Sequence, residues 1–135
     1  MTKKKKDTQM ENEVSEPMTA QVTASESDLR AKLNEIRGYD GVVGYILRNS
    51  HSAAVDLKDP TKIIDYAVLS SSTIDAGQEL SELFNLGNIR SIVVEGKNIK
   101  MLSMIIDENR ISILMEKDGD AETVRKALCS KWSSQ

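Results

Sequence analysis

Between Asp59-Pro60 and Gly87 the chain carries one unbroken helical pattern, from about Thr61 to Leu86, and this segment dictates what must surround it. Aspartate and proline suit a helix start, because the carboxylate caps free amides and proline fits the first turn. Glycine suits the end, where the chain turns left-handed. At 1.5 Å per residue the helix is roughly 37 Å long. Projected at roughly 100° per residue, it shows two apolar or small-residue seams. Leu69, Thr73, Ala76, Leu80 and Leu83 form the first; Ile63, Ala67, Ser70, Ile74, Gly77, Ser81 and Phe84 form the second. A helix lying on one sheet needs one stripe, so a second stripe about 100° away asks for a second surface. Ser70, Gly77 and Ser81 let another backbone come close, and a mid-helix glycine costs about 1 kcal/mol against alanine, which points to a packing reason. Self-association through the second seam is the expectation; the alternative is one wide core face under a larger lid. Asp65, Asp75, Glu79 and Glu82 gather on the remaining side.

The rest of the chain supplies a sheet for this helix. Val42 to Leu47 is a continuous apolar run of the kind buried on both faces, and Ser52 to Leu57 returns beside it through a turn at Arg48 to His51. Ile89 to Glu95, Ile99 to Ile106 and Arg110 to Glu116 are separated by Gly96-Lys97-Asn98 and Asp107-Glu108-Asn109, connections short enough for antiparallel hairpins. Ile111, Ile113 and Met115 alternate along one face. Ahead of the strands, Ser25 to Asp28 has the form of a capping box, and Leu29, Leu33 and Ile36 recur at helical spacing until Gly38. Behind them, Asp118 or Asp120 caps a last helix with Ala121, Val124, Leu128 and Trp132 on one side. The order predicts an α/β domain with a central antiparallel sheet covered on both faces.

With 135 residues the chain has room for one such domain. Residues 1–25 lack Leu, Ile and aromatic side chains and are expected to be a disordered charged tail, with the domain over 26–132 and a short tail at 133–135. Lys3, Lys4, Lys5 and Lys6 precede the acids of that tail; without a lipid or apolar anchor they make only a weak contact with an anionic surface. The start lacks the apolar stretch of a secretory signal, Thr2 replaces the glycine of a myristoylation motif, and no run is long enough to span a bilayer, so an intracellular, cytoplasmic protein is expected. Lys and Arg total 18 against 21 Asp and Glu, a net charge of -3, which argues against a chain built to grip nucleic acid.

Chemistry motifs are missing. With one cysteine, Cys129, and one histidine, His51, neither a disulfide framework nor a conventional zinc site can be assembled, and no metal or cofactor is expected. The glycines do not form a phosphate loop, and there is no nucleophile elbow. His51 reads as a solvated turn residue and Cys129 as a packed or half-exposed thiol. Tyr39, Tyr45, Tyr66, Phe84 and Trp132 are too scattered to stack bases. No catalytic residue is expected.

Taken in order, Leu33-Asn-Glu-Ile36, Gly41-Val-Val-Gly44-Tyr-Ile-Leu47, the helix end Leu83-Phe-Asn-Leu-Gly87, and the strands Ile92-Val-Val-Glu95 and Ile111-Ser-Ile-Leu114 resemble the roadblock family of dynein light chains and small-GTPase regulators. The resemblance covers about residues 26 to 132; Asn49-Ser-His-Ser52 departs from the family's frequent Asp or Gly turn. It implies a three-layer domain with a five-stranded antiparallel sheet, the long helix on one face and two shorter helices on the other. It also implies a dimer in which the long helices pair antiparallel and the edges at Ile89 to Glu95 join two sheets into one. The expected dimer interface is thus Ile63, Ala67, Ser70, Ile74, Gly77, Ser81 and Phe84 with Ile92 and Val94. The implied partner is a Ras-like small GTPase, met by the outward residues Ile64, Val68, Ser72, Asp75 and Glu79, and the dimer is a homodimer or a heterodimer with a related roadblock chain. A motor or cargo adaptor of the dynein light chain type is the alternative, and a small-molecule-sensing α/β domain a second.

Overall fold

In a computed structural model, which describes residues 20–132, the chain divides into two units, Met1–Ala31 and Lys32–Gln135. The first helix, α1 (Ala20–Ile36), spans that division and begins at Ala20 rather than at Ser25. Residues 20–24 contain neither glycine nor proline, so the helix extends through them and Ser25 and Asp28 lie inside it instead of capping it. The expectation for residues 1–19 and 133–135 lies outside the described residues. Within the second unit the last turn of α1 ends through a bond from the Arg37 amide to the Leu33 carbonyl at 2.9 Å, and Gly41, at φ 84°, redirects the chain into the sheet.

The strands are β1 (Val42–Arg48), β2 (Ala53–Leu57), β3 (Ser91–Glu95), β4 (Ile99–Ile106) and β5 (Asn109–Glu116). They form one antiparallel sheet in the order β2-β1-β5-β4-β3. β5 occupies the centre, and Ile111, Ser112, Ile113, Leu114 and Met115 are all buried, which means that both faces of this strand are covered. The covers are helical. The long helix α2 (Ile63–Phe84) lies on one face, with Tyr66 and Leu69 packed against Ile46, Met101 and Leu114. On the other face α3 (Ala121–Trp132) buries Val124 and Leu128. There also the Tyr45 hydroxyl donates to Asn34 Oδ1 at 2.7 Å and the Arg37 Nε donates to Asp56 Oδ1 at 3.3 Å.

Two local features fix the β1–β2 hairpin. Asn49 makes its turn, the side-chain oxygen accepting the backbone amides of His51 at 2.8 Å and Ser52 at 2.9 Å, so an Asx turn replaces the Asp or Gly turn of the resemblance. At Gly44, beside a register shift in β1, an added Cβ would run into the Asp56 carbonyl and Leu57 Cα of β2, so only glycine permits the approach. Of the two candidate caps for α3, Asp120 is the one used: its Oδ1 accepts the Thr123 amide at 3.1 Å and its Oδ2 the Thr123 hydroxyl at 2.7 Å.

Candidate functional site

The surface available for recognition is set by how α2 is held. At its start Asp59 Oδ1 accepts the Thr61 amide at 3.1 Å, and a turn of 3-10 helix over Pro60–Lys62 leads into the α-helix. The Thr61 hydroxyl, which donates to the same oxygen at 2.6 Å, and the Thr61 amide hold the Asp59 carboxyl below its ordinary range. At the other end Asn85 is left-handed at φ 55°, the Leu86 amide returns to the Ser81 carbonyl at 3.0 Å, and the Ser81 hydroxyl bonds the Gly87 carbonyl. Both ends being pinned, the helix presents fixed sides.

The seam expected to meet a second copy faces this chain's own sheet. Ser70, Ile74 and Gly77 are buried beneath the helix, and Ile63, Ala67 and Ser81 are half-buried. The physical reason for the small residues is intrachain. A Cβ on Gly77 would meet Ile92 Cδ1 of β3, and Ser70 Oγ lies within a hydrogen bond of Ser112 Oγ, which is itself 2.7 Å from Ser103 Oγ. The dimer assignment of Ser70, Ile74 and Gly77 is therefore corrected: these side chains are already covered. Phe84 is the exception in that seam, since it lies past the packed part of the helix and is 66% exposed. The first seam, expected to be the core stripe, divides. Leu69 joins the sheet cluster, whereas Leu80 is 49% and Leu83 68% exposed. Two stripes of equal regularity fit the helical period equally well, so periodicity alone does not tell them apart. The serines on β4 and β5 that match Ser70 were the available signal.

Ile92 and Val94 lie on the α2 side of β3 and are half-buried: Val94 pairs with Met101, and Ile92 reaches under Gly77. What β3 leaves open is its outer backbone edge, which pairs with no strand among the described residues, and Val93 on the other face, 45% exposed. The outward residues proposed for a partner are placed as the helical projection expects. Ile64 is 76% and Val68 60% exposed, and Ser72, Asp75 and Glu79 are exposed. One relation was not visible in the sequence: Asp75 Oδ1 accepts from Arg110 Nη1 at 3.4 Å, and Arg110 Nη2 donates to Gln78 Oε1 at 3.4 Å, a helix-to-sheet tie.

The residues that carry chemistry are dispersed. His51 is exposed in the β1–β2 turn. Cys129 is half-buried on α3, with Arg125 Nη1 3.9 Å from its sulfur, but that guanidinium is principally held by Glu122. Among the described residues no three His, Cys, Asp or Glu side chains group to hold a metal ion, and no helix is long and apolar enough to cross a membrane. An open hollow beside the end of α2 is lined by Gln78, Glu82, Ile89, Arg90, Asp107 and Cys129, among others.

No protein-family model matches the sequence, and comparison with curated proteins gives no match. Solved structures do match. A Roadblock/LC7 domain from Streptomyces avermitilis is similar over 78% of this chain and 88% of its own, at 16% identity and a TM-score of 0.61. The gliding protein MglB from Thermus thermophilus is similar over 81% and 91% respectively, at 13% identity and a TM-score of 0.57. MglB from Myxococcus xanthus is similar over 91% and 96%, at 12% identity and a TM-score of 0.51. At these identities the likeness is one of fold.

Proposed function

Taking the roadblock fold as the premise, we propose that this chain is a noncatalytic, dimeric platform that binds a Ras-like small GTPase and regulates or scaffolds it. The observation that carries the reading is an apolar surface left uncovered on a fold of this type: Ile64 and Val68 on the outward side of α2, and Leu80, Leu83 and Phe84 toward its end. Large exposed apolar side chains on one element mark interaction surfaces. The GTPase comes from the family resemblance, which the fold likeness supports. A second copy, or a related roadblock chain, meets the Leu80, Leu83 and Phe84 end together with the open edge of β3; the GTPase meets Ile64, Val68, Ser72, Asp75 and Glu79. The platform acts by binding one nucleotide state of the GTPase more tightly than the other, since equal affinity shifts nothing. An arginine finger is not part of this reading, because Arg110 is tied to Asp75 and Gln78.

The test is direct binding. The full chain is passed over immobilised Ras-like GTPases of its own source organism, each loaded with GDP or with a non-hydrolysable GTP analogue, while sedimentation measures its oligomeric state. Saturable binding to one GTPase with a preference between the two nucleotides is expected. No binding to any of them sinks the GTPase reading, and a monomer at micromolar concentration sinks homodimerisation.

A further inference from the structure

We propose that the pair of arginines at the far end of the sheet, Arg48 on β1 and Arg110 on β5, is a recognition point for a surface carboxylate of a protein partner, an inference that rests on the reading of this chain as a protein-binding platform. The two residues stand directly opposite each other in the β1–β5 register. Directly opposed residues share a face, and that face is the α2 side, because the Arg110 guanidinium reaches Asp75 and Gln78 of the helix. Arg110 thus has its counter-charge. Arg48, half-buried beside it, has no hydrogen-bond or ion-pair partner for its guanidinium among the described residues.

Two like charges directly opposite on neighbouring strands destabilise a sheet, and among the described residues no side chain relieves the second of them. An anion arriving from outside does. The planar guanidinium presents a fork of donors that matches a carboxylate with two parallel bonds. The surroundings select the kind of anion. Asp75 sits on the neighbouring guanidinium, Glu79 is exposed one helical turn further along the same side of α2, and the whole chain has a net charge of -3. A polyanion such as a nucleic acid or an anionic bilayer meets those carboxylates as well as Arg48 and is repelled by them. A single carboxylate on a protein of mixed surface charge avoids that conflict. Ile64 and Val68 lie on the same side of α2 as Asp75, so apolar and charged recognition sit on one side of one helix, the usual composition of an interface centre and its rim.

The test uses the full chain, labelled for side-chain NMR of arginine Nε–H groups and of valine methyls. The probe is a capped pentapeptide with one glutamate beside a leucine. Its glutamine isostere and inorganic phosphate, at matched ionic strength, are the controls. A saturable shift of Arg48 and of the Val68 methyls with the glutamate peptide is expected, absent from exposed Arg30. The Val68 shift is lost in Arg48→Gln, whose melting temperature is unchanged or raised because a like-charge pair is gone. An equal response to the glutamine peptide, a larger response to phosphate, or a lowered melting temperature in Arg48→Gln each overturns the proposal. No GTPase takes part in the titration, so a failure here is distinct from a failure of the GTPase reading. Capture of a GTPase by wild type and Arg48→Gln alike also overturns the carboxylate site while leaving that reading in place.

Discussion

Gly77 shows how a single residue type answers to a neighbour far away in sequence. Its missing side chain leaves room for Ile92 Cδ1 of β3, the flexible tip of a side chain rather than backbone. Gly77→Ala therefore changes stability little, since a shift of Ile92 offsets a gain in helix propensity of about 1 kcal/mol. Gly77→Leu overpacks the contact and lowers stability by about 1–3 kcal/mol in chemical denaturation; an unchanged midpoint contradicts the packing described. The three serines behave as a unit. Ser112 bridges Ser70 and Ser103, so Ser112→Ala strips both of their shared partner and costs about 1–3 kcal/mol, the range for buried polar groups left unpaired. Replacing all three by alanine costs less than three times that amount, because no orphaned hydroxyl remains. Strictly additive losses count against a connected chain of hydroxyls.

At the scale of elements, caps are where titration touches stability. Thr123 holds the Asp120 carboxyl below its ordinary value by donating its hydroxyl and its amide to the carboxylate, and Thr61 does the same for Asp59. A folded-state value depressed below the unfolded one means that the unfolded chain binds more protons as acid is added. The stabilisation is present above the usual aspartate value of 3.8 and is lost as pH falls through the depressed folded value. Melting temperature measured from pH 5 downward should fall more steeply in wild type than in the Asp59→Asn, Asp120→Asn double variant; identical profiles remove the caps from the acid response. The strands, the hairpins and the start of α2 were legible in the sequence because turn residues and caps act locally, as Asp59 and Asp120 do, whereas the left-handed residue that ends α2 is Asn85, two residues before the expected Gly87. The side of α2 that meets the sheet was not legible. Its choice depends on Ile92 and Ser112, brought there by tertiary pairing, and the two seams differ only in which one finds them. The start of α1 at Ala20 has a different reason: a capping-box pattern does not oblige the helix to begin there when no glycine or proline stands in the residues 20–24 before it.

For the molecule as a whole, two surfaces on one helix are separable by mutation. Leu83→Glu places a charge on the exposed end of α2 without touching the core, so the proposed dimer weakens at least about tenfold in sedimentation while the monomer keeps its melting temperature. For the proposed GTPase, Val68→Asp is expected to abolish capture while leaving the proposed dimer intact, and Glu79→Lys mainly to slow association and change its salt dependence, both read by binding kinetics to the GTPase. If Leu83→Glu and wild type sediment alike, the second copy sits elsewhere.

The order β2-β1-β5-β4-β3 leaves the sheet with two unlike margins, and the difference bears on where assembly stops. The proposed joining of β3 to β3 about a two-fold axis would be self-complementary, so it would consume both of those margins and offer no third copy a place. What remains outermost is β2, five residues long, with Asp56 within it tied to Arg37 and Lys58 directly after it. A short, charged margin is a poor template for another strand. In the proposed dimer, closure at the β3 margin together with a blunted β2 margin would limit the particle to two copies, whereas the same strands with their ends exchanged would leave a margin open to further growth.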